Sequence, residues 1–126
     1  VTCEEDPNVL ELAAVNPWSR GLFRNPKINI VQRDVRDYVR DCEDASFSVV
    51  FHDPPTVYQA GELYSEDLYR EFARLLHSGG TLYHYVGAPG RKRGQDYAGG
   101  VMDRLHRAGF GSVKRTVGGV RATFSG

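Results

Sequence analysis

Apolar residues along this chain follow two spacings, and the two alternate. Runs of β-branched and other apolar residues predict strands at residues 1–3, 27–32, 47–51, 81–86, 112–117 and 120–124. Apolar residues three or four positions apart predict helices between them, at residues 7–15, 35–40, 66–78 and 96–108. Strands that alternate with helices predict an α/β protein whose sheet is mostly parallel and carries helices on both faces.

Residues typical of helix ends and turns support this assignment. Asp6 before Pro7 is typical of a helix start, and Ser65 is the expected N-cap of a later helix. The pair Gly79-Gly80 is expected to end that helix. Gly118-Gly119 between two apolar runs predicts a tight hairpin, so the last strand should be antiparallel to its neighbour.

Two segments carry expectations about packing. The run "FSVVF" at residues 47–51 is nearly continuous in apolar side chains, which is typical of a strand buried on both faces. Residues 18–26 are expected to form a loop, in which Trp18 serves as a packing residue rather than a ligand contact.

Composition places the chain among ordinary globular proteins. Its 126 residues, 40% hydrophobic and 25% charged, predict one domain spanning residues 1–126. No apolar run approaches the roughly 18 residues of a membrane span, and no signal peptide pattern is visible, so a cytoplasmic location is the default expectation. Cys3 and Cys42 lack the spacing of a metal site, and no metal is expected.

Charge is balanced overall but not along the chain. Residues 1–78 hold 8 Lys+Arg against 14 Asp+Glu, a net charge of −6, and residues 79–126 hold 8 against 2, a net charge of +6. A neutral total argues against strong non-specific binding to nucleic acid, whereas the asymmetry leaves room for a local basic face. Mutual attraction of the halves, or simple solvation, explains it equally well.

Acids stand at the expected carboxyl ends of three strands, where open α/β sheets bind ligands. They are Glu4 with its neighbour Glu5, then Asp34, then Asp53 within His52-Asp53-Pro54-Pro55. A carboxylate at the first position can accept two hydrogen bonds from a ribose diol, and one at the second can accept from an adenine amine. The alternative is that Glu4 and Asp34 only cap the helices that follow them.

Several motifs in order resemble those of class I S-adenosylmethionine-dependent methyltransferases. They are "VTCEEDPNVLELA", the pair Arg33-Asp34, "FSVVFHDPP" and "SGGTL". The run "GELYSEDLYREFARLLHSGGTLYHYVG" also resembles spermidine synthases, and the DPP motif resembles a group of uncharacterised archaeal predicted methyltransferases. The resemblance implies a Rossmann-like sheet with a C-terminal antiparallel hairpin. In that fold a first strand and a Gly-rich loop precede the segment that begins here, so we expect an N-terminally truncated domain.

The resemblance also implies S-adenosylmethionine as cofactor and assigns roles to residues. Glu4, with Glu5 as the alternative, matches the acid that binds the ribose hydroxyls. Asp34 matches the acid near the adenine amine, and Val35 the residue beside the adenine ring. Asp53 matches the acid that faces the transferred group of the cofactor and the acceptor, so it is expected both to contact the cofactor and, with Pro54 and Pro55, to act in the reaction. Thr56 stands where related enzymes have an aromatic residue, and Tyr58 could take over its stacking role.

The DPP motif suits an amine acceptor. The Asp53 carboxylate can accept one amine hydrogen and the Pro54 carbonyl another, while Pro54 and Pro55 restrict the backbone. His52 neighbours Asp53 but should point to the opposite face, as a core residue. The alternative is a rigid strand exit in which Asp53 caps a turn.

Three functions follow as hypotheses. The first is methyl transfer to an amine nitrogen of a small molecule or an RNA, for which Arg91, Lys92 and Arg93 could contact phosphate or form a solvated loop. The second is aminopropyl transfer, as in spermidine synthases. The third is a non-catalytic fragment of such an enzyme. An open sheet that lacks a central strand leaves room for a homo-oligomer, and no membrane partner is expected.

Overall fold

The computed structural model describes residues 1–87 and 97–126, so the predicted basic contacts Arg91, Lys92 and Arg93 lie outside the described residues. The chain divides into two compact units, Val1–Asp41 and Cys42–Gly126. Each unit is described by itself below. No helix within the described ranges is long and apolar enough to cross a membrane.

The first unit is built on two short parallel strands, β1 (Thr2–Cys3) and β2 (Ile30–Val31). Between them lie α1 (Pro7–Val15), a 3₁₀ turn (Pro17–Ser19) and α2 (Arg20–Arg24), and α3 (Val35–Asp41) follows β2. The predicted start of α1 is confirmed, since the Asp6 side chain accepts a hydrogen bond from the Asn8 amide at 2.8 Å.

Three expectations for this unit are wrong. Residues 18–26 contain helical turns rather than a loop, because the Asn16 side chain accepts the Trp18 amide at 3.0 Å and Pro17 provides a preset φ for a new turn. Trp18 does not pack, since it is 95% exposed. The strand predicted at residues 27–32 is shorter, because pairing with β1 involves only Ile30–Val31.

The second unit contains a four-stranded sheet in the order β3-β4-β6-β5. Its strands are β3 (Phe47–His52), β4 (Leu76–Tyr85), β5 (Phe110–Thr116) and β6 (Gly119–Phe124). β3 and β4 are parallel, and β6 is antiparallel to both β4 and β5. The predicted C-terminal hairpin is confirmed, with Gly118 at φ +74° in its turn.

One face of this sheet is the core of the unit. It packs against α4 (Glu66–Leu75) and α5 (Tyr97–Arg107), and a 3₁₀ turn (Gly61–Tyr64) precedes α4. The Ser65 hydroxyl caps α4 as predicted, accepting the Leu68 amide at 3.3 Å. Large side chains with less than 2% exposure fill the core: Tyr69, Leu75, Leu76, Leu82, His84, Val101, Leu105 and Val120.

The second unit corrects two further expectations. The run at residues 47–51 is not buried on both faces, since Val49 is 49% and Phe51 is 78% exposed. α4 ends at Leu75 rather than at the Gly79-Gly80 pair, and β4 begins at once with Leu76, which pairs with Phe47. Gly79, at φ +81°, lies within this extended segment, where the register with β3 shifts.

Candidate functional site

Glu4 and Asp34 follow the carboxyl ends of the paired strands β1 and β2, as the sequence predicts. The Glu4 amide donates to the Val31 carbonyl at 3.0 Å, and the Cys3 thiol donates to the Arg33 carbonyl at 3.1 Å. These contacts tie the two strand ends to each other. The structure therefore brings Glu4 and Asp34 to one edge of the first unit.

Glu4 is half-buried, and its Oε1 accepts the Asp6 amide at 2.9 Å. Within the described part of the chain, Oε2 of Glu4 has no hydrogen-bond partner. This oxygen and the second lone pair of Oε1 can accept from a diol. Glu5 is exposed, so Glu4 is better placed than its neighbour to hold a ligand against the strand ends.

Asp34 is engaged by Arg36 on both carboxylate oxygens. Oδ1 accepts the Arg36 amide at 2.8 Å, Oδ2 accepts Nη2 at 2.5 Å, and Nε lies 3.1 Å from each oxygen. The Arg36 side chain thereby lowers the pKa of Asp34, against a smaller opposing effect of burial. Three donors occupy most of the roughly four lone-pair directions of a carboxylate, so about one remains for an adenine amine.

The capping alternative for these acids is therefore also correct in part. The Asp34 carbonyl accepts a hydrogen bond from the Tyr38 amide at 3.0 Å, and its side chain accepts one from the Arg36 amide. Asp34 is therefore the N-cap of α3. Val35, expected beside an adenine ring, is the first residue of α3 and is half-buried. A cap and a ligand contact can share one carboxylate because each needs only part of its lone pairs.

The second unit holds the turn Asp53-Pro54-Pro55 at the carboxyl end of β3. Asp53 is exposed, and none of the described residues donates a hydrogen bond to its carboxylate or forms an ion pair with it. The Tyr64 hydroxyl donates to the Pro55 carbonyl at 2.9 Å. The next turn closes where the Gln59 and Ala60 amides donate to the Thr56 carbonyl, at 2.8 and 3.0 Å. As far as residues 1–87 and 97–126 are concerned, the Asp53 carboxylate can therefore accept hydrogen bonds from a ligand, and hydrogen bonds hold the backbone that follows it.

A cluster of buried polar rings lies behind this turn. His52 is 6% and His84 is 0% exposed, and their ring centroids are 4.6 Å apart. His84 Nδ1 donates to the Tyr85 carbonyl at 3.0 Å, so its Nε2 accepts from the Tyr69 hydroxyl at 2.8 Å. His52 Nε2 donates to the Leu63 carbonyl at 2.8 Å. The expected role of His52 as a core residue is confirmed.

Burial sets the protonation of these rings. It lowers the pKa of His52, and it lowers the pKa of His84 to about 3, with a further contribution from the neighbouring His52. Burial also raises the pKa of Tyr64, to which the Asp53 charge adds. Both imidazoles are consequently neutral near pH 7, and the rings act as hydrogen-bonding scaffold rather than as proton carriers.

The predicted substrate residues are placed unevenly. Thr56 is exposed, and Tyr58 is 76% exposed. The Tyr58 hydroxyl contacts that of Tyr97 at the start of α5, and the two rings lie at 79° with centroids 6.0 Å apart. Tyr58 is thus a solvent-facing ring that a second ring supports.

Sequence reasoning missed Tyr64 and the partner of Tyr69. The sequence predictions above assign no role to either tyrosine. A signal was present, since a tyrosine at a core position needs a hydrogen-bond partner for its hydroxyl. The identity of that partner depends on contacts between distant residues, which periodicity does not reveal.

Comparison with known protein families identifies the family to which this chain belongs. The family model of the S-adenosyl-L-methionine-dependent methyltransferases matches residues 20–122 of this chain. The chain belongs to this family. S-adenosylmethionine is accordingly the cofactor of the family to which the chain belongs, and the resemblance found in the motifs is confirmed.

Two relatives have similar sequences. An uncharacterized protein of Methanocaldococcus jannaschii is 51% identical over 116 residues, which are 91% of this chain and 40% of that protein. A polyamine aminopropyltransferase of Aeropyrum pernix is 32% identical over 87 residues, 65% of this chain and 28% of that protein. The chain therefore spans less than half the length of either relative.

Solved structures agree on the fold. A spermidine synthase in complex with the transition state analogue AdoDATO superposes with a TM-score of 0.78 and 22% identity, over 98% of this chain and 44% of the other. The apo methyltransferase SibL gives a TM-score of 0.68 and 18% identity, over 99% and 43%. The predicted Rossmann-like methyltransferase fold, with its C-terminal antiparallel hairpin, is confirmed.

Proposed function

We propose that the protein transfers the methyl group of S-adenosylmethionine to an amine nitrogen. The observation that carries this proposal is the Asp53 carboxylate, which none of the described residues engages, on the turn Asp53-Pro54-Pro55 at the carboxyl end of β3. An acceptor-only group beside a backbone carbonyl suits a substrate with two hydrogens to donate, and an amine is such a substrate. Membership of the methyltransferase family supplies the class of reaction.

In this proposal each acid has a separate task. The Glu4 carboxylate accepts from the ribose hydroxyls, and Asp34 accepts from the adenine amine through its remaining lone pair. The bound cofactor supplies a methyl carbon on a positively charged sulfur. Asp53 and the Pro54 carbonyl would accept the two amine hydrogens and so fix the direction of the nitrogen lone pair. Positioning of this kind is worth up to ~7–11 kcal/mol of the barrier.

The amine proton must also leave. The transfer would exchange the carbon–sulfur bond of the cofactor for a carbon–nitrogen bond, and the product nitrogen would carry a positive charge until it loses a proton. Asp53, exposed and hydrogen-bonded to that nitrogen, can take the proton or pass it to water. His52 and His84 do not take part, since both rings are buried and already hydrogen-bonded.

Aminopropyl transfer is the second candidate. The sequence similarity to an aminopropyltransferase and the superposition on a spermidine synthase with its transition state analogue favour it. Both reactions attack a carbon bonded to a sulfonium, so Asp53 would serve either one. The match of residues 20–122 to the methyltransferase family supports amine methylation over this alternative.

Calorimetry and a transfer assay test the proposal. The natural polypeptide that carries this sequence is titrated with S-adenosylmethionine and with its decarboxylated form, and methyl transfer from labelled cofactor to amines and to RNA is followed. We expect S-adenosylmethionine to bind more tightly than its decarboxylated form, and we expect the labelled methyl group on a nitrogen of the acceptor. A clear preference for the decarboxylated form would establish the second candidate, and absence of binding of either would identify a non-catalytic domain.

A further inference from the structure

The turn that carries Asp53 is anchored on both sides by consecutive residues of one 3₁₀ turn. His52, immediately before Asp53, donates from Nε2 to the Leu63 carbonyl at 2.8 Å. Pro55, two residues after Asp53, accepts at its carbonyl from the Tyr64 hydroxyl at 2.9 Å. Asp53 and Pro54 are thus the two residues between the anchors.

The anchors are themselves rigid. Tyr64 is 6% exposed, and its ring lies 5.0 Å from the ring of His84, centroid to centroid. His84 is in turn hydrogen-bonded at both ring nitrogens. His52 stacks edge-on against Phe72 of α4, with centroids 5.0 Å apart. The turn is consequently attached to the core of the unit and not only to its own strand.

The two anchors differ in what they can control. The His52 contact lies on the strand side, where pairing of His52 with His84 in β4 already holds the backbone. The Pro55 contact lies beyond the strand, where the prolines leave no amide hydrogen for a backbone turn bond. The hydrogen bond from the Tyr64 hydroxyl is therefore the main contact that fixes the backbone immediately after Asp53 and Pro54.

We propose that Tyr64 is a positioning residue for the transfer reaction, since its hydroxyl, acting through the Pro55 carbonyl, sets the direction of the Asp53 carboxylate and of the Pro54 carbonyl. The inference rests on the proposed function, in which these two oxygens hold the acceptor amine. Tyr64 does not contact the reacting atoms. Loss of its hydroxyl should affect the chemical step and leave binding of the cofactor unchanged.

The test is Tyr64→Phe in the natural polypeptide, which removes one oxygen and keeps the ring. We expect kcat for methyl transfer to fall about 10- to 100-fold, the effect of a misplacement of about 1 Å, with the cofactor Kd unchanged. Amide exchange at Gln59 and Ala60, whose amides close the next turn at the Thr56 carbonyl, should become faster.

Tyr83→Phe is the matched control. Its hydroxyl donates to the Val117 carbonyl at 3.0 Å in the hairpin, so this variant loses a bond of the same kind in the same unit. Tyr64→Phe should lose more stability, because its hydrogen bond is part-buried whereas that of Tyr83 is exposed, and the control should keep kcat and the exchange rates at Gln59 and Ala60.

The outcomes separate the two proposals. Unchanged kcat in Tyr64→Phe, or equal losses in the two variants, would overturn the positioning role. A wild-type protein that binds cofactor but transfers to no acceptor would overturn the proposed function, and the exchange rates of the two variants would still decide whether Tyr64 anchors the turn.

Discussion

Both units of this chain carry a carboxylate at the end of a strand, but the two units differ in how much apolar surface they bury. In Val1–Asp41 only Val39 is buried, and side chains such as Leu12 and Val15 are 69% and 77% exposed. In Cys42–Gly126 a core of aliphatic and aromatic side chains lies under the sheet. Burial of apolar area is the main source of folding free energy, so the stability of the described structure resides in the second unit.

The difference extends to the way in which each acid is held. Glu4 and Asp34 are oriented by local contacts, to the Asp6 amide and to Arg36. The turn of Asp53 is held by Leu63 and Tyr64, about ten positions away, and Tyr64 is buried in the core. Local contacts can orient a ligand-binding carboxylate, whereas a group that must aim a reacting atom benefits from a stiff surrounding.

The strongest test of the comparison is a pair of leucine substitutions. Leu105→Ala, at a fully buried position in α5, should lower the free energy of unfolding by about 2–5 kcal/mol because it leaves a cavity. Leu12→Ala, at an exposed position in α1, should change it by less than about 0.5 kcal/mol. Urea unfolding of both variants measures this, and equal losses would show that the first unit has a core of its own.

Asp53→Ala tests where the chemistry lies. We expect methyl transfer to fall about 100-fold or more, since the variant loses both a hydrogen-bond acceptor and a proton acceptor. Cofactor affinity should persist, because Glu4 and Asp34, the acids assigned to the ribose and the adenine, are unchanged in this variant. The control is Asp67→Ala in α4, whose side chain is 94% exposed. Transfer assays and calorimetry on both variants check this, and unchanged turnover in Asp53→Ala would remove its proposed role.

Glu4→Ala tests the opposite half of the comparison. Loss of a charged hydrogen-bonding partner should weaken binding of S-adenosylmethionine about 10- to 100-fold, corresponding to roughly 1.5–3 kcal/mol. Glu5→Ala is the matched control one residue further on, where the side chain is exposed. Calorimetry decides between them, and a larger effect of Glu5→Ala would assign the ribose contact to that residue instead.

The smallest expected effect is the dependence of stability on pH. The folded-state pKa of His84 is about 3, and burial also lowers that of His52, while both are near 6.5 when unfolded. The unfolded chain therefore binds more protons below pH 6.5, and stability is complete above that pH and falls as the pH decreases. The slope is about 1.4 kcal/mol per pH unit for one histidine.

Unfolding of the wild type and of His84→Gln between pH 5 and 7 measures this slope, at pH values where carboxylates stay ionised. Groups that face His84 include His52, Tyr64, Tyr69 and Arg104, so a residual slope from His52 should persist in the variant. Equal slopes in both proteins would mean that His84 takes up no proton on unfolding.

Local signals in the sequence predicted much of the fold. Asp6 and Ser65 cap their helices, and Gly118-Gly119 closes the hairpin, because each of these residues acts on backbone groups within a few positions. The end of α4 was misplaced, since a glycine pair can end a helix or bend an extended segment. The pairing of Leu76 with Phe47, a contact between distant residues, selects the second.

The candidate site shows the same division. The order of strands was enough to expect Glu4, Asp34 and Asp53 at strand ends, and their roles as ligand contacts remain predictions. Exposure of Phe51 and burial of Tyr64 could not be anticipated, because each depends on which elements cover a given face of the sheet. Arg36 as the partner of Asp34 was also not foreseen, although it lies only two residues away.

The hairpin glycines, Gly118 and Gly119, limit which substitutions the sequence tolerates at these two positions. A Cβ at Gly119 would collide with the main-chain carbonyl of His84, and backbone cannot move aside as a flexible side chain can. Gly118, at φ +74°, lies in a region that L side chains rarely adopt. In a library that samples every residue at every position, these two sites should therefore be depleted of substitutions as strongly as the core leucines, although they bury almost no side-chain surface.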